Sequence, residues 1–344
     1  MIDQQPFGSA EGKPVSLYSL TNRGGLCARI TDYGGIVTEL HVPDRAGRLA
    51  DVVLGFADLD SYLAGHPFFG ALVGRVANRI AGARFELDGQ TVELSANRPP
   101  NHMHGGFQGF DKKVWEAEAM ATRQGPALRL RYVAADGEEG YPGRFDVTAV
   151  YTLRDDDALQ LDIVATTDKP TIANVVNHTY WNLGDGPTVL DHEVQLFASR
   201  YTPAAADLVP TGQVAAVAGT AFDFRTAKPI GRDLAAAGGD PVGFDANFVV
   251  DGDPRGLRPV ARLAHPASGR VLEISADQPG VQFYTGNSLH GGRGKGREHV
   301  QYAGCCFETQ CFPDSINKPA WRDAVILRPD QSYRHTQIAK FGIV

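Results

Sequence analysis

Apolar residues recur at every second position through most of this chain, and that period confines it to β-structure. Phe145, Val147, Ala149, Tyr151 and Leu153 share one side of a run that stops at Asp155-Asp156-Asp157, and Leu159, Leu161 and Ile163 resume the pattern after it. Successive strand side chains point to opposite faces, so two such runs around a short acidic turn predict a β-hairpin. The same signal predicts strands at 26–33, 36–42, 84–94 around an Asp88-Gly89 turn, 128–133, 172–181, 271–275, 281–286, 305–311 and 332–340. Helical spacing is confined to 59–64 and 233–237. With 39 Gly and 21 Pro punctuating short runs, the expected class is all-β, an antiparallel sandwich or barrel.

A chain of 344 residues, 43% hydrophobic and 21% charged, can bury a sizeable core. No low-complexity linker or repeat divides it, so one domain spanning 1–344 is expected; the Ala-, Gly- and Pro-rich stretches 203–219 and 225–243 read as surface loops. A net charge of -7 argues against nucleic acid or an anionic membrane as partner, since either would be met by a basic face. A neutral ligand suits the chain better. Residues 1–12 lack the charged and apolar regions of a leader, and no stretch approaches the ~20 apolar residues needed to cross a bilayer, so the expected location is cytoplasmic. Cys27, Cys305, Cys306 and Cys311 show no metal-like pairing and read as reduced, mostly buried thiols. The glycine-rich loop 291–297 lacks the Lys-Ser/Thr ending and following helix of a phosphate cradle, and reads as a solvated hairpin tip.

The residues that could carry chemistry are Arg79, His104, His178, Asp245 and Glu308. If 174–182 is one strand, Asn174, Val176, His178, Tyr180 and Asn182 share a face, which would make a polar wall around the imidazole. Glu308 shares a face with Cys306 and Gln310 in an otherwise apolar strand, where burial would raise its pKa toward the range useful to a general base. His102 and His104 could face one way as metal ligands, but no third or fourth ligand is evident, and Gly105-Gly106 suggests a tight turn instead. The guanidinium of Arg79 is a five-donor fork suited to hydroxyls or to an ion pair. There is no Gly-x-Ser-x-Gly elbow and no dinucleotide fingerprint. Cofactor-free acid–base catalysis is the enzyme reading that remains.

These strings, in this order, resemble those of the aldose 1-epimerase (galactose mutarotase) family over nearly the whole length. They are Gly-Arg-Val-Ala-Asn-Arg-Ile at 74–80, Asn-His-Met-His-Gly-Gly at 101–106, Gly-Tyr-Pro-Gly at 140–143, Asn-His-Thr-Tyr-Trp-Asn-Leu at 177–183, Gln-Phe-Tyr-Thr-Gly-Asn at 282–287 and Phe-Glu-Thr-Gln at 307–310, with Leu327-Arg328-Pro329 and Tyr333 near the end. The resemblance implies a β-sandwich of the galactose mutarotase-like supersandwich type with an open sugar cleft, acting on free aldohexoses or aldopentoses without cofactor or metal, as monomer or homodimer. It implies Glu308 as the base at the C1 hydroxyl, His178 as the acid at the ring oxygen and His104 as its assistant. Arg79, Asn78, Asp245 and Gln282 would hold sugar hydroxyls. Such chemistry needs base and acid in opposite protonation states, with an ionised carboxylate beside a protonated imidazole as the expected arrangement near neutral pH.

Four positions depart from the family pattern. Met103 replaces a common Leu, Ala246 follows Asp245 where many members have His, Trp181 replaces Phe and would add surface near the cleft, and Cys306 is a bulkier neighbour of Glu308 than Gly or Ala. Three other readings compete: a relative acting on a phosphorylated sugar, a sugar-binding module without catalysis, and a glycosidase using Glu308 and Asp245. The first lacks an evident extra cationic pocket, and the second sits badly with both His178 and Glu308 being present.

Overall fold

The computed structural model describes residues 1–254 and 256–344. The runs expected to pair around short turns do so. Phe145–Leu153 and Ala158–Thr167 form an antiparallel hairpin with Leu153 opposite Leu159. Phe145, Val147, Ala149, Tyr151 and Leu153 are each at most 1% exposed. The hairpin sits inside a nine-stranded antiparallel sheet running from Glu116–Ala121 through Pro126–Ala134, the hairpin itself, Tyr333–Ile343, Arg270–Ala276, Arg258–Ala264 and Glu193–Leu196 to Lys228–Pro229. Asp88 and Gly89 have φ of 50° and 78°, the left-handed pair that a type I′ hairpin turn requires. Short helices form at Leu59–Leu63 and Leu234–Ala237, close to the two stretches with helical spacing.

One hairpin escapes the alternation rule. Ile2–Ala10 and Lys13–Thr21 pair around Glu11 and Gly12, but Asp3 to Pro6 face water on both sides, so no apolar period marks the outer strand. These strands open a five-stranded sheet that continues through Cys27–Thr31, Val37–Pro43 and Leu49–Asp51.

A six-stranded sheet carries the site. Its order is Tyr180–Trp181, Cys305–Gln310, Gly280–Tyr284, Asp245–Val249, Arg200–Thr202 and Ala215–Ala216. Phe248, Val281, Phe283, Cys305, Phe307 and Trp181 belong to the principal apolar core, with the Phe283 and Phe307 rings stacked 5.3 Å apart. The residues between them, Asp245, Asn247, Gln282, Tyr284, Cys306, Glu308 and Gln310, therefore point to the opposite face.

Three expectations are corrected. The stretch 172–181 is not one strand: Thr171–Ile172, Val176–Asn177 and Tyr180–Trp181 pair with Ile326–Leu327, Leu72–Val73 and the Cys305–Gln310 strand respectively. Asn177 breaks the run, because its Oδ1 accepts the Thr179 N–H at 3.0 Å while its Nδ2 donates to Gly70 O and Tyr151 Oη. A side chain that bonds local backbone competes with the strand ladder, and no apolar period registers it. Trp181 lies in the core, 3% exposed and 5.9 Å from the Phe341 ring, away from the site. The loop 291–297 does form a hairpin tip with Gly291, Gly292 and Gly296 open, but Gly294 packs against Gly55 and Lys295 turns back into the protein. Its ammonium donates to Val53 O at 2.9 Å and to Thr38 O, and pairs with Asp51.

Candidate active site

Arg79–Ile80 bridges His102–Met103, and the chain then turns sharply at His104, Gly105 and Gly106, all with positive φ. A Cβ on Gly105 would lie 1.7 Å from Gly74 O, so only glycine fits there. His104 donates its backbone N–H to Asn78 O at 2.9 Å, and the Asn78 N–H donates to His104 Nδ1 at 3.2 Å. With Nδ1 taken as acceptor, the ring hydrogen resides on Nε2. His102 points elsewhere, its Nδ1 2.7 Å from Ser95 O and its Nε2 2.7 Å from Tyr141 Oη. It is a structural histidine.

The ring of His178 lies between Tyr180 at 5.1 Å and Phe68 at 5.7 Å, both nearly parallel to it, and 5.3 Å from the His104 ring. Its Nδ1 is 3.5 Å from Cys306 Sγ and its Nε2 is 3.6 Å from Glu308 Oε1. Across the sheet Glu308 is in register with Gln282, which donates to Asp245 Oδ1 at 2.6 Å. Asp245 Oδ2 is 3.9 Å from an Arg79 nitrogen, and Asn78 Oδ1 accepts the Arg79 N–H at 2.9 Å. Asn78, Arg79, Asp245, Gln282, Glu308, His178 and His104 thus form a closed circuit of neighbours drawn from segments as far apart in sequence as Asn78 and Glu308.

Burial dominates the electrostatics. Glu308 is pushed up to about 8, first by burial and then by the Asp245 charge, with Arg79 opposing. His178 is pushed down to about 4 by burial. Burial, His178 and Arg79 together hold His104 far below the ordinary imidazole range. Asp245 is raised by burial and partly restored by Arg79 and Gln282. Near neutral pH the protein alone therefore keeps its proton on Glu308 and leaves His178 neutral, the reverse of the expected charge-separated pair. A separated pair of charges out of water is costlier than the neutral pair. Both forms hold one proton, so the charge-separated form is reached by moving it within the pair.

Ligand atoms of His104, His178 and Glu308 lie within 4.8 Å of one another, a grouping the His102/His104 reading did not anticipate. The set fits a cation poorly. His104 receives the Asn78 N–H at Nδ1 and so offers a hydrogen, not a lone pair, at its other nitrogen.

Residues 16–340 match the family model described as aldose 1-epimerase. The chain belongs to that family. It is 45% identical to the galactose mutarotase of Rattus norvegicus over 91% of this chain and 90% of that one. It is 33% identical to the aldose 1-epimerase of Escherichia coli (strain K12) over 97% of each. Among solved structures, the GalM/aldose epimerase homologue from C. elegans superposes with a TM-score of 0.88 at 28% identity, covering 96% of this chain and 99% of that one. The galactose 1-epimerase from Lactobacillus acidophilus gives 0.87 at 28% identity, covering 100% and 99%.

Within this family member, sequence reasoning missed Phe68, whose half-buried ring lies 4.6 Å from His104 and against His178. Its only local oddity is a φ of 63°, which the sequence does not display. Asn247 was missed too; it shares the register row of Gln282 and Glu308 and is 2% exposed. Ala246 pairs with Phe283 and packs on the apolar core, on the face away from Asp245. Cys306 is fully buried, and burial and the Glu308 charge push its thiol well up, so it stays protonated and unreactive.

Proposed function

We propose that the circuit interconverts the α and β anomers of a free aldose. Glu308 takes the proton of the C1 hydroxyl, His178 delivers one to the ring oxygen, and the ring opens to the aldehyde. Rotation about C1–C2 and reclosure with the roles reversed yields the other anomer. His104, with its hydrogen on Nε2, donates to the oxygen end beside His178. Asp245 and Gln282 accept and donate at sugar hydroxyls, and Arg79 and Asn78 complete that side. The observation that carries the reading is one buried carboxylate 3.6 Å from one buried imidazole, with hydroxyl-binding groups beside them. Reaction at a hemiacetal needs one base and one acid and no electron sink.

A phosphorylated substrate is disfavoured: Lys112, the lysine whose charge reaches His104, is already bonded to Asp111 at 3.0 Å. We take residues 1–344 as one working unit, a reading supported by a principal core that draws on residues from Tyr18 to Phe341. Four free cysteines suit a reducing compartment such as the cytoplasm. Among the described residues no helix is long and apolar enough to cross a membrane.

Polarimetry of freshly dissolved α-D-glucose, α-D-galactose and pentose anomers tests the activity; acceleration is expected, and none for any free aldose would remove the proposal. Arg79→Lys keeps the charge and loses the fork. It is expected to raise KM about tenfold while kcat changes less, because hydrogen bonds to a charged group contribute ~1.5–3 kcal/mol to binding. A fall in kcat at constant KM would instead put Arg79 at the reacting end.

A further inference from the structure

The Glu138–Gly143 segment is distinctive in sequence, yet none of its side chains belongs to the circuit. The Glu139 backbone is left-handed, with φ 53°, and its carboxylate reaches across to the turn that carries His104. Oε1 accepts the Gln108 N–H at 2.8 Å and Oε2 accepts the Phe107 N–H at 3.1 Å. The Ser95 hydroxyl also donates to Oε2, and the Ser95 N–H donates to Glu139 O at 3.2 Å. A Cβ on Gly106 would stand 2.1 Å from Glu139 Oε2, so the approach requires glycine there. Two residues further on, Tyr141 Oη is 2.7 Å from His102 Nε2, and His102 Nδ1 is 2.7 Å from Ser95 O. Asn97 holds the Met103 peptide from the other side, with two bonds of 2.8 Å.

We propose that Glu139 is a positioning residue for the epimerisation: its carboxylate ties the 106–108 end of the turn so that His104 Nδ1 stays on the Asn78 N–H and Nε2–H is aimed at the sugar. The inference rests on the role given to His104 above. Two adjacent backbone N–H groups converging on one carboxylate make a charge-assisted clamp, stronger than the same amides bonded to water. Phe107 is 58% exposed, so its N–H and that of Gln108 can turn to solvent when the clamp is lost. The protein is therefore expected to fold without it. The turn is then free to shift, and misplacement of a reacting group by about 1 Å can cost ~100-fold in rate.

The experiment compares Glu139→Ala, Glu139→Gln and Glu138→Ala. Glu138 belongs to the same turn but accepts from Tyr132 Oη at 2.7 Å and holds nothing of 104–108. Glu139→Ala is expected to lower kcat by ~10–100-fold with KM within about threefold. Glu139→Gln, which keeps one acceptor oxygen, recovers part of the loss, and Glu138→Ala leaves kcat near wild type. In protein with ¹⁵N-labelled histidine, the His104 ring nitrogens are expected to lose their fixed Nε2–H pattern in Glu139→Ala alone. Equal losses from Glu138→Ala and Glu139→Ala, or unchanged His104 ring signals, would overturn the proposal. If wild-type protein accelerated no aldose, the functional reading would fail, while the ring signals would still decide whether the clamp holds His104.

Discussion

Glu308→Gln should lower the epimerisation rate by ~10²–10⁴-fold, the usual contribution of a positioned general base, while sugar affinity changes little. Gln keeps the shape and one acceptor oxygen but cannot take a proton. Polarimetry gives the rate and calorimetric titration with an aldose gives the affinity; turnover near the wild-type level would remove Glu308 as the base. The same variant should be more stable than wild type. The folded-state pKa of Glu308 is about 8, against an ordinary 4.5, so the unfolded chain releases its proton first. The Glu308 contribution to stability is accordingly lost as pH rises from about 4.5 to about 8 and is flat above. At pH 7 the substitution should recover a few kcal/mol, since every tenfold change in proton affinity between the folded and unfolded chain is worth about 1.4 kcal/mol. Thermal unfolding of both proteins at pH 5 and pH 8 checks this; the gap should widen toward pH 8.

The pH profile of kcat/KM and its response to His178→Asn form the second large expectation. The pair holds two protons below about 4, one between, and none above about 8. Only the one-proton form can act as base and acid together, so wild-type activity should form a bell with limbs near those values, which belong to the pair and not to either residue. Without the imidazole the acid is lost, and the rate should fall by ~10²–10⁴-fold. The residual rate then depends on ionised Glu308 with water as the acid. It should rise with pH through about 8, where the wild-type rate declines. A variant whose residual activity keeps the wild-type alkaline fall would show that His178 is not the acid.

Much of the scaffold was legible because a half-buried strand writes its burial into every second residue. Phe145 to Ile163 forms the hairpin its period predicts, and Cys305 to Gln310 is a strand as its period predicts, though its pairing with Gly280–Tyr284 was not readable from that period. The Ile2–Ala10 strand left no such trace, since Asp3 to Pro6 are exposed on both faces. Nor did the break at Asn177, where one amide bonding backbone outweighs the apolar pattern around it. The candidate site residues were singled out for a different reason: their strings resemble those of a family. Period and composition say nothing of a role for Arg79 or Gln282.

By itself the sequence determined the β class, the face on which Glu308 stands, and which polar residues could do proton chemistry, because these depend on side-chain type and a period of two. Tertiary structure alone decided that seven residues from distant segments meet, that Trp181 is core while Phe68 lies against His104 and His178, and that Lys295 is an internal strut. It also decided where the proton of the Glu308–His178 pair rests. That depends on how much water each group has lost and which charges stand nearby, and both are properties of the packed molecule.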